Sequence, residues 1–366
     1  MVAVLYFGLF AMSFDFISGY TGYLSFGHGA FYGTGAYFVV LAANGKVPFV
    51  AADTHFMILL VLAGLLAAAA SLLIGAVSFR LTGVYFAMIT LGFAEVMHVF
   101  VRNWRYVSDN PRDGAAVSYQ VKEQGFEIGL PYVDALNLQI GRLTGEEIQG
   151  LLGFIDLGRT EVSFYMVGLV VLVSYLAMQR IIHSPFGRVM VAIRENEQRA
   201  RAVGYDTYRY KLGAFAISAF FAGVAGALFA GFARSVAPEN TFFFLVTGFA
   251  LLAAIIGGFG TLAGAFFGWV FHEFVDHVLT KDNGGLLPYL RETLGEETLA
   301  TPVGGGLTVD GFIDTFLNGH ASLYLGVIFV LFVLYVPEGL LGTVRARLGD
   351  TVANAVADRI DGWRSR

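Results

Sequence analysis

The chain has no cysteine among its 366 residues, few charged residues and no long basic tract. Without cysteine it forms no disulfide and offers no thiolate metal ligand or cysteine nucleophile. Charged residues make up 14% of the chain, against about 25% in soluble globular proteins, while 56% of its residues are hydrophobic. It also contains no GxxxxGK[ST] nucleotide loop. These absences argue against nucleic-acid binding, thiol chemistry and intrinsic ATP hydrolysis. Together with a mean hydropathy of +0.67, they favour a polytopic membrane protein.

Apolar runs that approach the length of a membrane span, about 20 residues, recur along the chain. They lie at residues 22–43, 56–79, 82–101, 162–178, 212–233 and 322–336. The run that follows Met1 is short because Asp15 interrupts it, so we expect a partly re-entrant helix or a longer natural N-terminus. Residues 241–271 have GGFG in the middle, which allows either two helices or one span with a broken half-helix. We therefore predict an all-α membrane protein with about eight transmembrane helices.

Cationic residues concentrate in a few connections between the predicted spans. Seven lie within residues 180–211, and others are Arg80, Arg345 and Arg347. The positive-inside rule places such connections in the cytoplasm. We therefore predict a multi-pass plasma-membrane protein with a membrane domain at 1–343 and a cytoplasmic C-terminal tail at 344–366. The long connections at about 102–161 and 280–320 then become extracytoplasmic loops.

The connection at 180–211 contains a short amphipathic helix with well-marked ends. Ser184 is suited to the N-cap, Pro185 to the first helical position and Gly204 to the C-terminal end. Between these ends, one helical face carries Val189, Ile193, Asn196, Ala200 and Val203, and the other faces carry Arg188, Arg194, Glu195, Arg199 and Arg201. Two interpretations remain open. The helix either lies on the lipid surface or is a rigid docking element for a soluble partner.

Four stretches of sequence form a pattern in this order: SGYTGYLSFGHGAFYGTGAY (18–37), LTGVYFAMITLGFAEVMHVF (81–100), SPFGRVMVAIRENEQRARAVGYDTYRYKLGAFAISAFFAGVAGAL (184–228) and AAIIGGFGTLAGAFFGWVF (253–271). The pattern resembles the permease subunits of branched-chain amino acid ABC transporters, over residues 18–342. One departure is that the family's TGGxxGL-like turn is replaced here by SDNPRDGAAV at 108–117, which keeps only Gly114.

The resemblance implies the membrane subunit of an ATP-driven importer for leucine, isoleucine and valine, although similar permeases serve urea or short amides. It implies as partners two cytoplasmic ABC ATPases, a second homologous permease and an extracytoplasmic solute-binding protein, within membrane lipid. ATP and magnesium would bind to the ATPases, so we expect no catalytic residue, cofactor or metal in this chain. The helix at 184–204 would be the ATPase-coupling helix, comprising Ser184, Pro185, Gly187, Arg188, Ile193, Arg194, Glu195, Asn196, Ala200 and Gly204.

Polar residues inside the predicted spans are candidates for the translocation pathway, because a polar or ionisable group in a membrane is costly. The candidates are Ser25, His28, Thr90 and Glu95, and we expect His28 to face the helix bundle. Glu95 and His98 lie on one helix face and form either an internal pair or the outer end of their span. An ion-coupled carrier is a rival function. It would need paired buried carboxylates, for which only Asp15 and Glu95 are available.

Small residues recur at intervals of about four positions, a spacing that lets membrane helices approach closely. We expect these positions to serve helix packing rather than substrate contact. They are Gly29 and Gly33, then Ala219, Gly223 and Ala227, and finally Gly257, Gly258, Gly260, Gly264 and Gly268.

Overall fold

A computed structural model describes residues 1–118, 148–151, 155–280, 293–294, 298–299, 301–304, 307–309, 311, 321–336 and 339–343. Ten α-helices lie within these residues: α1 (Val2–Thr21), α2 (His28–Ala43), α3 (Phe56–Ser78), α4 (Val84–Asn103), α5 (Arg159–Ile182), α6 (Pro185–Ala202), α7 (Thr207–Ala233), α8 (Phe244–Gly257), α9 (Leu262–Thr280) and α10 (Ala321–Tyr335). Most of the two predicted outer loops, and the tail at 344–366, lie outside the described residues.

Three antiparallel pairs of short strands accompany the helices in the described part of the chain. They join β1 (Ala115–Ala116) to β4 (Ser235–Val236), β2 (Ile148–Leu151) to β3 (Ile155–Leu157), and β5 (Pro302–Gly304) to β6 (Leu307–Thr308). Gly114, which precedes β1, has a φ of 94° and lies against the backbone of Val236. The one glycine retained from the family's turn therefore allows β1 to approach β4.

Six helical segments in the described residues are long and apolar enough to cross a membrane. They are α1, α3, α4, most of α5, α7 and the segment Pro238–Gly257, which ends with α8. Helices α2, α9 and α10 do not meet these criteria but also contribute to the bundle. The helical membrane class predicted from the sequence is thus supported, whereas the count of eight spans is not confirmed.

Helix α1 passes through Asp15 without interruption, so the prediction that this residue shortens the first span is wrong. The Asp15 side chain is fully buried, and its Oδ1 accepts a hydrogen bond of 2.8 Å from the backbone N–H of Gly260. A buried polar group is tolerated when it has such a partner. The partner is 245 residues away in sequence, beyond the reach of any local pattern.

The predicted span at 22–43 is helical only from His28 onward, because residues 22–27 are non-helical chain. Helix α1 ends at Thr21, Gly22 follows with a φ of 78°, and α2 begins at His28. His28 is deep in the bundle, with its ring centre 5.8 Å from that of Phe14 and 6.4 Å from that of Phe215. Non-helical backbone at membrane depth is tolerated where protein rather than lipid surrounds it.

The glycine-rich stretch at 241–271 contains α8 and the first part of α9, and of these two helices α8 belongs to a candidate membrane span, Pro238–Gly257. Helices α8 and α9 are joined by a turn in which Gly258 has a φ of 114° and Gly260 a φ of 82°, conformations that side chains disfavour. The helices return antiparallel in close contact, since a Cβ on Gly268 would overlap the carbonyl of Ala253, and Gly257 meets Gly264.

Helix α7 packs along α1, α2 and α3 through small residues. A Cβ on Gly223 would lie 2.6 Å from the Cβ of Ala67 and 2.8 Å from the Ala63 carbonyl oxygen. Ala219 and Ala227 are fully buried on the same helix. The absence of bulky side chains brings these backbones together, as in other membrane helices.

The start of α2 packs against the start of α8 and the chain before it. The Gly29 N–H donates a hydrogen bond of 2.7 Å to Thr247 Oγ1, and Gly33 lies against the ring of Phe242. Both glycines therefore lie at contacts between elements that are far apart in sequence.

We predict that Gly268→Ala destabilises the bundle, because the added methyl group would overlap the Ala253 carbonyl and overpacking costs about 1–3 kcal/mol. The measurement is thermal unfolding in detergent, followed by size-exclusion chromatography. Gly248→Ala in α8 is the matched control, since its Cβ would meet no atom within 4 Å. Equal stability of the two variants would contradict the packing described here.

Candidate functional site

Helix α6 has the ends that its sequence predicted. Ser184 is the N-cap, with its Oγ 3.5 Å from the N–H of Gly187, and Pro185 is the first helical residue. The helix ends at Ala202, and Gly204 follows two residues later with a φ of 97°.

The interior of α6 is kinked, so the prediction of one rigid helix over 184–204 needs correction. Asn196 has the non-helical angles φ −164° and ψ 101°. Its Oδ1 accepts a hydrogen bond of 2.9 Å from the N–H of Arg199, which caps a second helical segment. We call residues 185–195 the first segment of α6 and residues 197–202 the second segment.

The two segments both lie on the bundle with an apolar face. The buried residues of α6 are Gly187, Val189, Met190, Ile193 and Ala200, whereas Arg188, Glu195 and Arg199 are exposed. Val203, which the sequence places on the apolar face, is 73% exposed because the chain leaves the helix before it. A face of mixed charge thus remains accessible on the side of α6 away from the bundle.

Arg194 ties the first segment to the ends of three membrane helices. Its Nη1 donates a hydrogen bond of 2.8 Å to the carbonyl of Gly19 near the end of α1. The same guanidinium lies beside Gly260, in the turn between α8 and α9 that Asp15 also binds. Arg194 also pairs with Glu195 at 3.0 Å. We call this end of the bundle, which also carries Arg80, the α6 end.

Glu197 begins the second segment and is the centre of a polar cluster. Its two oxygens accept hydrogen bonds from Tyr23 (2.5 Å), Lys211 (2.8 Å), Thr207 (2.9 Å) and Arg201 (2.5 Å). Burial alone would raise the pKa of this carboxyl, but hydrogen bonds from Lys211, Tyr23 and Thr207 and the charge of Lys211 together lower the pKa to about 2. Glu197 is therefore ionised at neutral pH.

Lys211 is buried inside this cluster rather than exposed in a loop. Helix α7 begins at Thr207, within the connection predicted at 180–211, so Lys211 belongs to a helix. The Lys211 side chain is 0% exposed, donates to the hydroxyl of Tyr23 at 2.9 Å, and has its Nζ 4.5 Å from the centre of that ring. A buried cation needs such a carboxylate and aromatic neighbours.

A second polar cluster lies deep in the bundle around His28. The ring Nε2 is 3.0 Å from Ser218 Oγ, and Ser218 donates its only proton to the carbonyl of Ser13 at 2.5 Å. The neutral His28 ring must therefore donate from Nε2, which leaves Nδ1 as an acceptor. That Nδ1 atom is buried without a hydrogen-bond partner.

Two other predicted pathway residues lie near this cluster. Ser25, in the non-helical stretch before α2, is fully buried, and its Oγ has no hydrogen-bond partner. Gly27 lies against the carbonyl of Thr90, whose own hydroxyl donates to Ala87 at 2.9 Å. The structure thus brings the stretch that carries Ser25 and His28 against α4 at Thr90.

The remaining pathway candidate, Glu95, lies apart from these residues. Its Oε2 is 3.6 Å from His98 Nδ1, which is too long for a hydrogen bond. The other nitrogen of His98 is 2.7 Å from Glu239, which also pairs with Arg102 at 3.4 Å. These groups lie at the end of the bundle opposite α6.

No set of three potential metal ligands occurs among the described residues.

The comparison with known families decides the class of the chain. The profile of the family described as "Branched-chain amino acid transport system / permease component" matches residues 1–281. The chain belongs to this branched-chain amino acid permease family. The resemblance carried by the four sequence stretches is therefore confirmed.

Several curated members of this permease family are similar to the chain. The high-affinity branched-chain amino acid transport system permease protein LivM of Salmonella typhimurium is 29% identical over 93% of this chain and 68% of its own length. LivM of Escherichia coli is 28% identical over the same shares. LivH of Salmonella typhimurium is 27% identical over 72% of this chain and 78% of its own length. No solved structure gives a significant match.

Sequence reasoning missed the residues that join the elements of this permease at its α6 end. Glu197, Lys211 and Tyr23 were not singled out, although Lys211 lies directly before a long apolar run. A lysine at that boundary, preceded by an acidic residue in an amphipathic helix, was the one available sign of a buried pair.

We predict that Asp15→Leu lowers the thermal stability of the permease, because it leaves the partly buried N–H of Gly260 without its acceptor, a loss of about 1 kcal/mol. Asp15→Asn keeps an oxygen at the same position and is the matched control. The midpoint of thermal unfolding in detergent measures both. A leucine variant as stable as the asparagine variant would show that this hydrogen bond contributes nothing.

Proposed function

We propose that the chain is the membrane-spanning permease subunit of an ATP-binding cassette importer that translocates leucine, isoleucine and valine. The observation that supports the proposal is the family match over residues 1–281, since the family is described as a permease component of branched-chain amino acid transport systems. The LivM and LivH relatives are described as permease proteins of such a system. A permease for urea or a short amide is the alternative within the same class.

In this proposal α6 is the coupling helix, and the α6 end of the bundle faces the cytoplasm. One of the two ATPases would bind the exposed face that carries Arg188, Glu195 and Arg199. The buried face and the bond from Arg194 to Gly19 support docking over a lipid-surface role, because they fix α6 to the bundle. ATP and magnesium would bind to those partner subunits.

The route for the solute would pass the non-helical stretch before α2. Discontinuous helices with buried polar groups mark substrate paths in many transporters. Ser25, His28 and Thr90 are the polar groups there, and no chemistry on the solute is required of them. ATP binding by the partners would supply the free-energy difference between inward-open and outward-open states. A second permease and an extracytoplasmic binding protein would complete the path.

An ion-coupled carrier is the rival function, and the positions of the carboxylates disfavour it. Carriers use buried ionisable groups near the middle of the membrane. Asp15 lies at the α6 end, where its Oδ1 accepts a hydrogen bond from the N–H of Gly260. Glu95 lies beside His98 at the opposite end. The two carboxylates therefore do not form a pair.

Co-purification tests the proposed class. We predict that the C-terminally tagged chain, extracted gently from its native membrane, brings an ABC ATPase and a second multi-span permease with it. Reversing both exposed charges by Arg188→Glu and Arg199→Glu should reduce the ATPase recovered while the chain still inserts. Recovery of the wild-type chain alone, even after mild cross-linking, would contradict the proposal.

Cysteine labelling tests the orientation separately. Because the chain has no native cysteine, only the introduced cysteine reacts. Arg199→Cys should react with an impermeant thiol reagent only after the cells are opened, because α6 faces the cytoplasm. Asp53→Cys, an exposed position between α2 and α3, should react in intact cells. The reverse pattern of labelling would place α6 outside and exclude its role as a coupling helix.

A further inference from the structure

The second segment of α6 contacts two separate parts of the membrane domain through one carboxylate. Glu197 binds Lys211 of α7 through Oε1, at 2.8 Å, and Tyr23 of the stretch before α2 through Oε2, at 2.5 Å. We infer that Glu197 is the positioning residue that transmits movement of α6 to the translocation path, with Lys211 and Tyr23 as its two receiving groups. This inference rests on the proposed function.

The first connection runs along α7 from Lys211 to Ser218. Seven residues are about two helical turns, or about 10 Å, so both side chains lie on nearly the same face. Lys211 is fully buried against Glu197, and Ser218 contacts His28 at 3.0 Å. A displacement of Glu197 that moves α7 therefore moves the hydroxyl that holds the His28 ring.

The second connection runs through the non-helical chain from Tyr23 to His28. Tyr23 donates to Glu197, accepts from Lys211 at 2.9 Å, and packs edge-on against Phe79 and Phe86. Between the Gly22 N–H, which donates to the Ser18 carbonyl at 3.1 Å, and the Gly27 carbonyl, which accepts from Ala30 at 3.0 Å, no continuous helical ladder of hydrogen bonds resists a change of path. A pull on Tyr23 thus shifts Ser25 and the start of α2 directly.

The two connections both end at His28. Glu197 is therefore linked to the buried imidazole by two routes, in addition to its ion pair with Lys211. One carboxylate controls the groups on both sides of the same buried imidazole. The first segment of α6 is held separately, by Arg194 at the end of α1. The kink at Asn196 lies between the two attachments and allows the second segment to turn relative to the first.

The proposal predicts that Glu197→Gln uncouples transport from ATP hydrolysis. The complete transporter, reconstituted with its ATPases and loaded binding protein, should still assemble and hydrolyse ATP. Its leucine uptake per ATP should fall about tenfold, within the usual range of coupling between sites. Asp206→Asn is the matched control, because it removes an exposed carboxylate from the same connection while asparagine still caps α7.

A double variant separates coupling from stability. Glu197→Gln alone leaves Lys211 buried without its carboxylate, which destabilises the fold. The double variant Glu197→Gln with Lys211→Met removes both charges and should recover thermal stability. The proposal expects uptake per ATP to remain low in this stable double variant. Recovery of uptake together with stability would show that the pair is only structural and would overturn the inference.

The failure of this inference is distinguishable from failure of the proposed function. If the wild-type chain captures no ATPase, the importer class itself is wrong. If the wild-type complex couples uptake to ATP hydrolysis and Glu197→Gln couples it equally well, the importer class stands and Glu197 has no positioning role.

Discussion

The burial of one cation constrains the whole α6 end of the permease. Lys211 is 0% exposed at the start of α7, the helix that packs along α1, α2 and α3. A cation in such surroundings is stable only when a carboxylate and further hydrogen bonds compensate its lost hydration. Glu197 supplies that carboxylate, so α6 must return to the bundle at this point. The ion pair thereby fixes α6 against the membrane domain.

Backbone groups at the same end impose a second constraint. The turn between α8 and α9 and the end of α1 both present polar backbone groups that must be satisfied away from water. Asp15 accepts from the Gly260 N–H, and Arg194 donates to the Gly19 carbonyl. Side chains of α1 and α6 thus complete the hydrogen bonding of neighbouring elements. This reciprocity makes α6 an integral part of the bundle, which a helix resting on lipid would not be.

The parts of this architecture that depend on local pattern were predictable, and the parts that depend on distant partners were not. Capping chemistry marks the ends of α6, and glycine spacing marks the close contacts of α7 and of the hairpin formed by α8 and α9. From the sequence alone, Asp15 predicts an interruption of the first span, because its hydrogen-bond partner Gly260 is 245 residues away. The kink at Asn196 and the burial of Lys211 likewise depend on tertiary contacts. A hydropathy pattern also does not distinguish a continuous span from a non-helical stretch followed by the helix that begins at His28.

The two ends of the bundle differ in a way that bears on how such a permease works. At the opposite end, the carboxylates of Glu95 and Glu239 are 39% and 49% exposed, so water screens their contacts with His98. At the α6 end, the Glu197 and Lys211 side chains are 18% and 0% exposed, and their attraction is far less screened. The attachment of α6 to the membrane domain through this pair is therefore weakened less by water than the contacts at the opposite end. The non-helical chain between Tyr23 and His28 joins this pair to the buried imidazole without the continuous ladder of hydrogen bonds that a helix would provide.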